Sequence, residues 1–217
     1  IGPVEVSPER MDLAEIQNNR FCLPDAEAAK AAEDYLDQKI AECDSVGGVV
    51  ECVISGLPVG LGEPVFEKLD ANLAKAILSI GAVKGFEIGD GFAATKACGS
   101  ENNDEFRMDG DKIVKETNHA GGVLGGISDG SDVVFRAAFK PTPSIAKSQE
   151  TVTKDGANID LVIHGRHDPV VVPRAVVVVE SMAAITAMDM LLMSMTSRLD
   201  LIQMFFQVEN VDDSPEQ

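Results

Sequence analysis

From Val170 to Met195 the chain carries charge at three positions, Arg174, Glu180 and Asp189, and is otherwise dominated by Val, Ala, Met and Leu. No other stretch limits the fold so tightly. It is too long for a strand, and its charges argue against a membrane span. Its pattern predicts a helix from about Pro173 to Arg198 that is apolar on most faces. Such a helix has little surface to give to water, so it is expected inside the molecule, between other layers.

The rest of the chain must supply those layers. Its 217 residues suit one globular domain or two small ones, and 45% hydrophobic with 25% charged residues is ordinary globular composition. The net charge of −18 excludes unaided binding to nucleic acid or anionic lipid, which need a basic surface. With no Trp, one Tyr and nine Phe, there is little material for stacking bases. The start, IGPVEVSPER, has neither the basic nor the apolar region of a signal peptide. Cys22, Cys43, Cys52 and Cys98 form no CxxC pair, and they read as free buried thiols in a reducing cytosol.

Local patterns place the other elements. A short helix near Asp12–Phe21 must end before Pro24. Asp25 looks like an N-cap for a helix whose inner stripe is Ala28, Ala32, Leu36, Ile40 and Cys43, with Glu27, Lys30, Asp34, Asp37 and Glu42 on a solvated face. Gly47-Gly48 stops it, and residues 49–54 read as a mostly buried strand. A second helix is expected to open at Pro64 and to bury Val65, Leu69, Leu73, Ala76, Ile77 and Ile80. A strand broken by glycines follows, then a polar surface excursion over 99–112. Val133–Phe139 reads as a strand, residues 151–163 as a hairpin around Asp155-Gly156, and VENVDDSPEQ as a frayed acidic tail. Strict βαβ alternation is missing, so the fold class is α+β.

Three segments carry functional side chains or backbone. Gly121-Gly122-Val123-Leu124-Gly125-Gly126 has neither P-loop nor dinucleotide spacing; it is either a tight turn in a packed core or a place where backbone approaches a ligand. Lys140-Pro141-Thr142-Pro143-Ser144 is either a rigid turn or a preorganised loop offering an ammonium and two hydroxyls to an anion. Gly165-Arg166-His167-Asp168-Pro169 holds either a local Arg–Asp pair or an anion-binding fork beside a proton acceptor. His119 and His164 lack a third ligand at metal spacing, so a structural hydrogen bond is the expected role of each. No GxSxG elbow exists, and the acidic run 102–111 lacks calcium-loop order and reads as a solvated loop.

Taken together, SGLPVGLGEPVFEKLDANLAKAILSIGAVKGFEIGDGF, NHAGGVLGGISDG, FKPTPSI and GRHDPVVVPRAVVVVESMAA resemble chorismate synthase, in order and in register. The resemblance implies a helical core packed between antiparallel sheets, incomplete here, with residues 1–207 forming part of one domain and 208–217 a disordered tail. It implies a cytoplasmic homotetramer at full length, acting in aromatic amino acid biosynthesis, with neither nucleic acid nor membrane as partner and with an association with NADP. The implied reaction is 1,4-elimination of phosphate from 5-enolpyruvylshikimate 3-phosphate to give chorismate. The implied cofactor is reduced FMN, lending an electron transiently without net redox change. By the resemblance, Gly81 and Ala82, Gly125, Lys140, Pro141, Thr142, Pro143, Ser144 and Arg166 would contact FMN. Arg166 would also reach substrate, and Asp168 would exchange a proton with the flavin. Gly81 departs from the family's Asn and leaves only backbone there. The family's arginine cluster, RSSAR-like FMN segment and two general-acid histidines have no counterpart in this sequence; His119 and His167 do not occupy those histidine positions. A C-terminal part of the enzyme, inactive alone, is therefore expected. The alternative is a non-catalytic assembly or FMN-binding module.

Overall fold

The computed structural model describes residues 1–165 and 167–206; the tail expected over 208–217 lies outside them. In chain order the elements are α1 (Ala26–Ala41), β1 (Gly48–Ile54), α2 (Leu69–Leu78), β2 (Val83–Ile88), α3 (Gly99–Asn102), β3 (Phe106–Asp109), β4 (Lys112–Lys115), β5 (Val123–Leu124), β6 (Ile127–Ser128), β7 (Val133–Phe139), β8 (Gln149–Val152), β9 (Asn158–Leu161), α4 (Val172–Thr196) and α5 (Leu199–Phe206). The first 24 residues hold short 3₁₀ turns, one of them at Leu13–Gln17, where the Asp12 carboxylate accepts from the Ala14 amide.

β7 is the centre of an antiparallel sheet in the order β1-β7-β2. Its register runs from Gly48↔Phe139 to Ile54↔Val133 on one side, and from Val83↔Phe139 to Ile88↔Phe135 on the other. The period of two puts Val133, Phe135, Ala137 and Phe139 on a buried inner face. α2 and α4 cover that face, α4 lying on β1 and α2 on β2. Phe135, Leu69, Leu73, Ile77, Val133 and Val179 are essentially fully buried between them. Each such side chain is worth about 1.5–3 kcal/mol of burial. The sheets and helices confirm the α+β class. β3 pairs with β4, β5 with β6, and β8 with β9 in separate hairpins, the last spanning Asp155-Gly156 as expected.

Several expectations need correction. α4 is not enclosed on both sides: Val172, Ala175, Val179, Ala183, Thr186, Ala187 and Met190 are buried, while Val178, Ile185, Met188, Leu192 and Met195 are exposed. The described residues supply a layer on one side of it only. By length and hydropathy α4 could cross a bilayer; in this structure it packs one face on β1 and α2. β1 is half-buried rather than mostly buried, because it is an edge strand whose outer face, with Val49 and Val53, is uncovered. α1 begins where the Asp25 cap predicts, its carboxylate accepting from the Glu27 and Ala28 amides. Its buried stripe stops at Leu36, leaving Ile40 and Cys43 exposed. All four thiols are free, but Cys43 and Cys98 face solvent. α2 starts at Leu69, not Pro64, and leaves Val65 exposed. The excursion expected over 99–112 runs on to 116, with α3 and the β3–β4 hairpin inside it, and Asp104 within it is buried, not solvated.

Candidate functional site

Four residues after α1 form a mount. Asp44 takes the Lys147 ammonium at 2.5 Å, and the Ser45 hydroxyl donates to the Thr142 carbonyl at 2.6 Å. The Val46 amide donates to the Pro169 carbonyl at 2.8 Å, and Val46 also bridges to Val170. Gly47 lies so close to the end of β7 that a Cβ would collide with the Phe139 carbonyl oxygen and crowd Pro141. This mount seats the loop after β7 and the segment before α4 side by side, at the sheet end where β1 and β2 begin.

The loop 140–144 is accordingly well held. The Lys140 amide donates to the Ala82 carbonyl at 3.0 Å, and Gln149 donates to the Pro143 carbonyl at 3.0 Å. Ala82 sits at φ +72°, a left-handed conformation that turns the chain from α2 into β2. Beside it, a Cβ on Gly81 would meet nothing within 4 Å, so this backbone faces open space. Among the described residues, the Lys140 ammonium and the Thr142 and Ser144 hydroxyls have no partner in the chain. An exposed cation and two free hydroxyls on a pinned backbone suit an anionic group such as a phosphate.

Asp168 stands on the other side of the mount. Its carboxylate takes the Arg174 guanidinium at 2.6 Å, so its orientation is set from the first turn of α4. A cation there opposes the positive end of the helix and is tolerable because of this pairing. One of the two sequence readings paired Asp168 with Arg166; Arg166 lies outside the described residues. His167 donates to the Ile163 carbonyl at 3.1 Å, a local turn contact. His119 Nδ1 lies 2.6 Å from Asp90, the structural hydrogen bond expected of it, whereas His164 is exposed.

Gly125 is elsewhere. Gly125 and Gly126, at φ +61° and +92°, form the two-residue turn between β5 and β6. The Gly126 carbonyl accepts from the Leu69 amide at the start of α2, while Gly81 follows its end. The length of α2, about 15 Å, therefore lies between the Gly125 turn and the Gly81–Ala82 segment.

The four motifs thus sort into one convergent cluster and one distant turn, on a fold that other proteins share. A family profile described as chorismate synthase matches residues 2–192. The chain belongs to the chorismate synthase family. It is 61% identical over 95% of its length to a chorismate synthase of Agathobacter rectalis, covering 56% of that protein. It is 54% identical over 90% of its length to one of Paramagnetospirillum magneticum, covering 54% of it. A crystal structure of chorismate synthase has the same fold, with TM-score 0.69 and 31% identity, over 84% of this chain and 48% of that one. The chain thus spans about half the length of the chorismate synthases it matches. Sequence reasoning missed Asp44, Ser45 and Arg174. Their partners are set by the fold, and the sole local signal was Gly47, whose lack of a side chain admits the strand end.

Proposed function

We propose that this chain supplies part of a chorismate synthase active site, in which phosphate is eliminated from 5-enolpyruvylshikimate 3-phosphate. The observation that carries this reading is the meeting of Lys140–Ser144, Gly81–Ala82 and Asp168 at one sheet end. Reduced FMN, when bound, would supply an electron transiently while phosphate leaves and recover it afterwards. Lys140, Thr142 and Ser144 would bind and orient anionic oxygens, and the backbone at Gly81 and Ala82 would lie against the flat ring. Asp168, steadied by Arg174, would hold or accept a proton at a carboxylate oxygen. Overall a C–O bond to phosphate and a C–H bond break, and no net electron is gained or lost. Residues 118–175 carry six basic and six acidic side chains, so this half alone offers no surplus of positive charge for several anionic groups. Cytoplasmic location, a homotetramer and association with NADP complete the proposal.

The test is anaerobic turnover with reduced FMN in protein of the relatives' full length. Asp168→Asn should slow single turnover by about 10²-fold while leaving substrate affinity nearly unchanged. An unchanged rate would remove Asp168 from the chemistry. Lys140→Ala should weaken FMN binding, read by flavin fluorescence. A second reading, a non-catalytic assembly module, is favoured by the open apolar face of α4. Stoichiometric FMN binding by this chain alone would count against a purely structural role.

A further inference from the structure

The hairpin β5–β6 has two residues in each strand, too little to hold a turn rigidly by itself. A buried charged cluster at its base does that instead. The Lys115 ammonium lies 2.7 Å from Asp129, 3.3 Å from Asp104 and 3.2 Å from Asn118 Oδ1. The side chains of Lys115, Asp104 and Asp129 are 2%, 3% and 6% exposed.

Each acceptor is also tied to backbone on the two legs that carry the turn. Asp104 accepts from the Thr117 hydroxyl and from the His119 and Ala120 amides, at 2.7, 2.8 and 2.9 Å. Asn118 accepts from the Gly122 amide and donates to the Asp132 carbonyl, both at 2.8 Å. Asp129 accepts from the Ser131 amide at 2.9 Å, and its own amide donates to Gly122. Residues 117–122 and 129–132 are therefore stapled to one ammonium. α2 holds the back of the turn through Gly126 and Leu69. Of the two turn glycines, Gly125 faces open space, and its neighbour Leu124 lines a cleft of about 530 Å³ together with the segment 102–106 and Ala120.

The chemistry of the cluster is costly if stability is its sole purpose. An apolar trio of similar volume would pack the site as well or better, whereas ion pairs and hydrogen bonds fix directions. The excursion 99–116 is otherwise largely exposed, and Asp104 and Lys115 are its deeply buried side chains. We infer that Asp104, Lys115 and Asp129 form a positioning cluster that sets the backbone of the Gly125 turn for contact with a flat, anionic cofactor. The inference rests on the reading of Gly125 as an FMN contact; titrating the unaltered chain checks separately whether this chain holds FMN.

The experiment uses this chain, with Asp129→Asn as the variant and exposed Glu150→Gln on β8 as control. FMN is titrated by flavin fluorescence, and backbone hydrogen exchange is followed by mass spectrometry. Asp129→Asn should speed exchange within 117–128, leave β1 and β7 protected, and weaken FMN binding by about tenfold. Glu150→Gln should change neither. Unchanged exchange within 117–128, or faster exchange with unchanged FMN affinity, overturns the inference. If the unaltered chain binds no FMN, the cofactor reading fails for this chain and exchange alone decides: opening confined to the turn supports the cluster's role, and unchanged exchange overturns it. Should Asp129→Asn not fold, Thr117→Val, which removes one donor to Asp104, is read in the same way.

Discussion

At the scale of single residues, two titratable groups give checks independent of cofactor. Burial, reinforced by the nearby Glu180 carboxylate, pushes the Cys52 thiol up to about 11. The reactive thiolate is then about 100-fold rarer than in an ordinary cysteine. Cys43 and Cys98, both exposed, should be alkylated first at pH 8, with Cys52 modified far more slowly, as peptide mass spectrometry would read. Burial alone would raise the Asp104 carboxyl. The Ala120 amide, Thr117 hydroxyl, His119 amide and Lys115 charge outweigh that and hold it at about 2. A carboxylate depressed on folding stabilises above its unfolded value of about 3.8 and loses that contribution as pH falls toward 2. Acid should therefore destabilise the chain across this window, and Asp104→Asn should flatten the dependence in urea titrations at successive pH values. The two residues also show what a sequence discloses. Asp25 was readable because a cap acts on amides two and three positions away. Asp104 was taken for a loop acid because its partners lie 11 to 16 positions along the chain, where spacing carries no signal.

At the scale of elements, α4 tests how a helix apolar on most faces divides its surface. Val179→Ala, on the buried face, should cost about 1–3 kcal/mol by urea denaturation. Ile185→Ala, on the exposed face, should shift the stability of this chain by less than about 0.5 kcal/mol. Equal costs would mean that both faces are covered. Composition could not divide these faces, because Val179 and Ile185 are equally apolar and only docking separates them. The start of α2 was misplaced for a related reason. Pro64 is a sound first-turn residue, yet Val65 takes φ +65° and the chain stays irregular until the Gly126 carbonyl receives the Leu69 amide. That long-range bond substitutes for a side-chain cap, which Lys68 does not provide. β7, by contrast, was legible as a strand, because a run rich in Val and Phe lies between turn residues; its buried face, with Val133, Phe135, Ala137 and Phe139, is assigned by the fold.

At the scale of the whole molecule, two apolar surfaces lie open: the outer face of β1 with Val49 and Val53, and the outer seam of α4. Exposed patches of this kind favour association, while a net charge of −18 opposes it. Raising salt from about 0.05 to 0.5 M shortens the reach of that repulsion, so the sedimentation coefficient should rise with salt at fixed concentration. A value independent of salt would show that charge does not restrain association. The convergent cluster was legible as motifs but not as a place, since nothing in FKPTPSI or GRHDP announces their common seat on residues 44–47. That seat has a consequence for engineering. The loop from Lys140 and the segment leading from Asp168 hang from one four-residue bracket. Lengthening or shortening the bracket by a single residue would move both at once, so neither can be retuned by loop grafting without re-aiming the other.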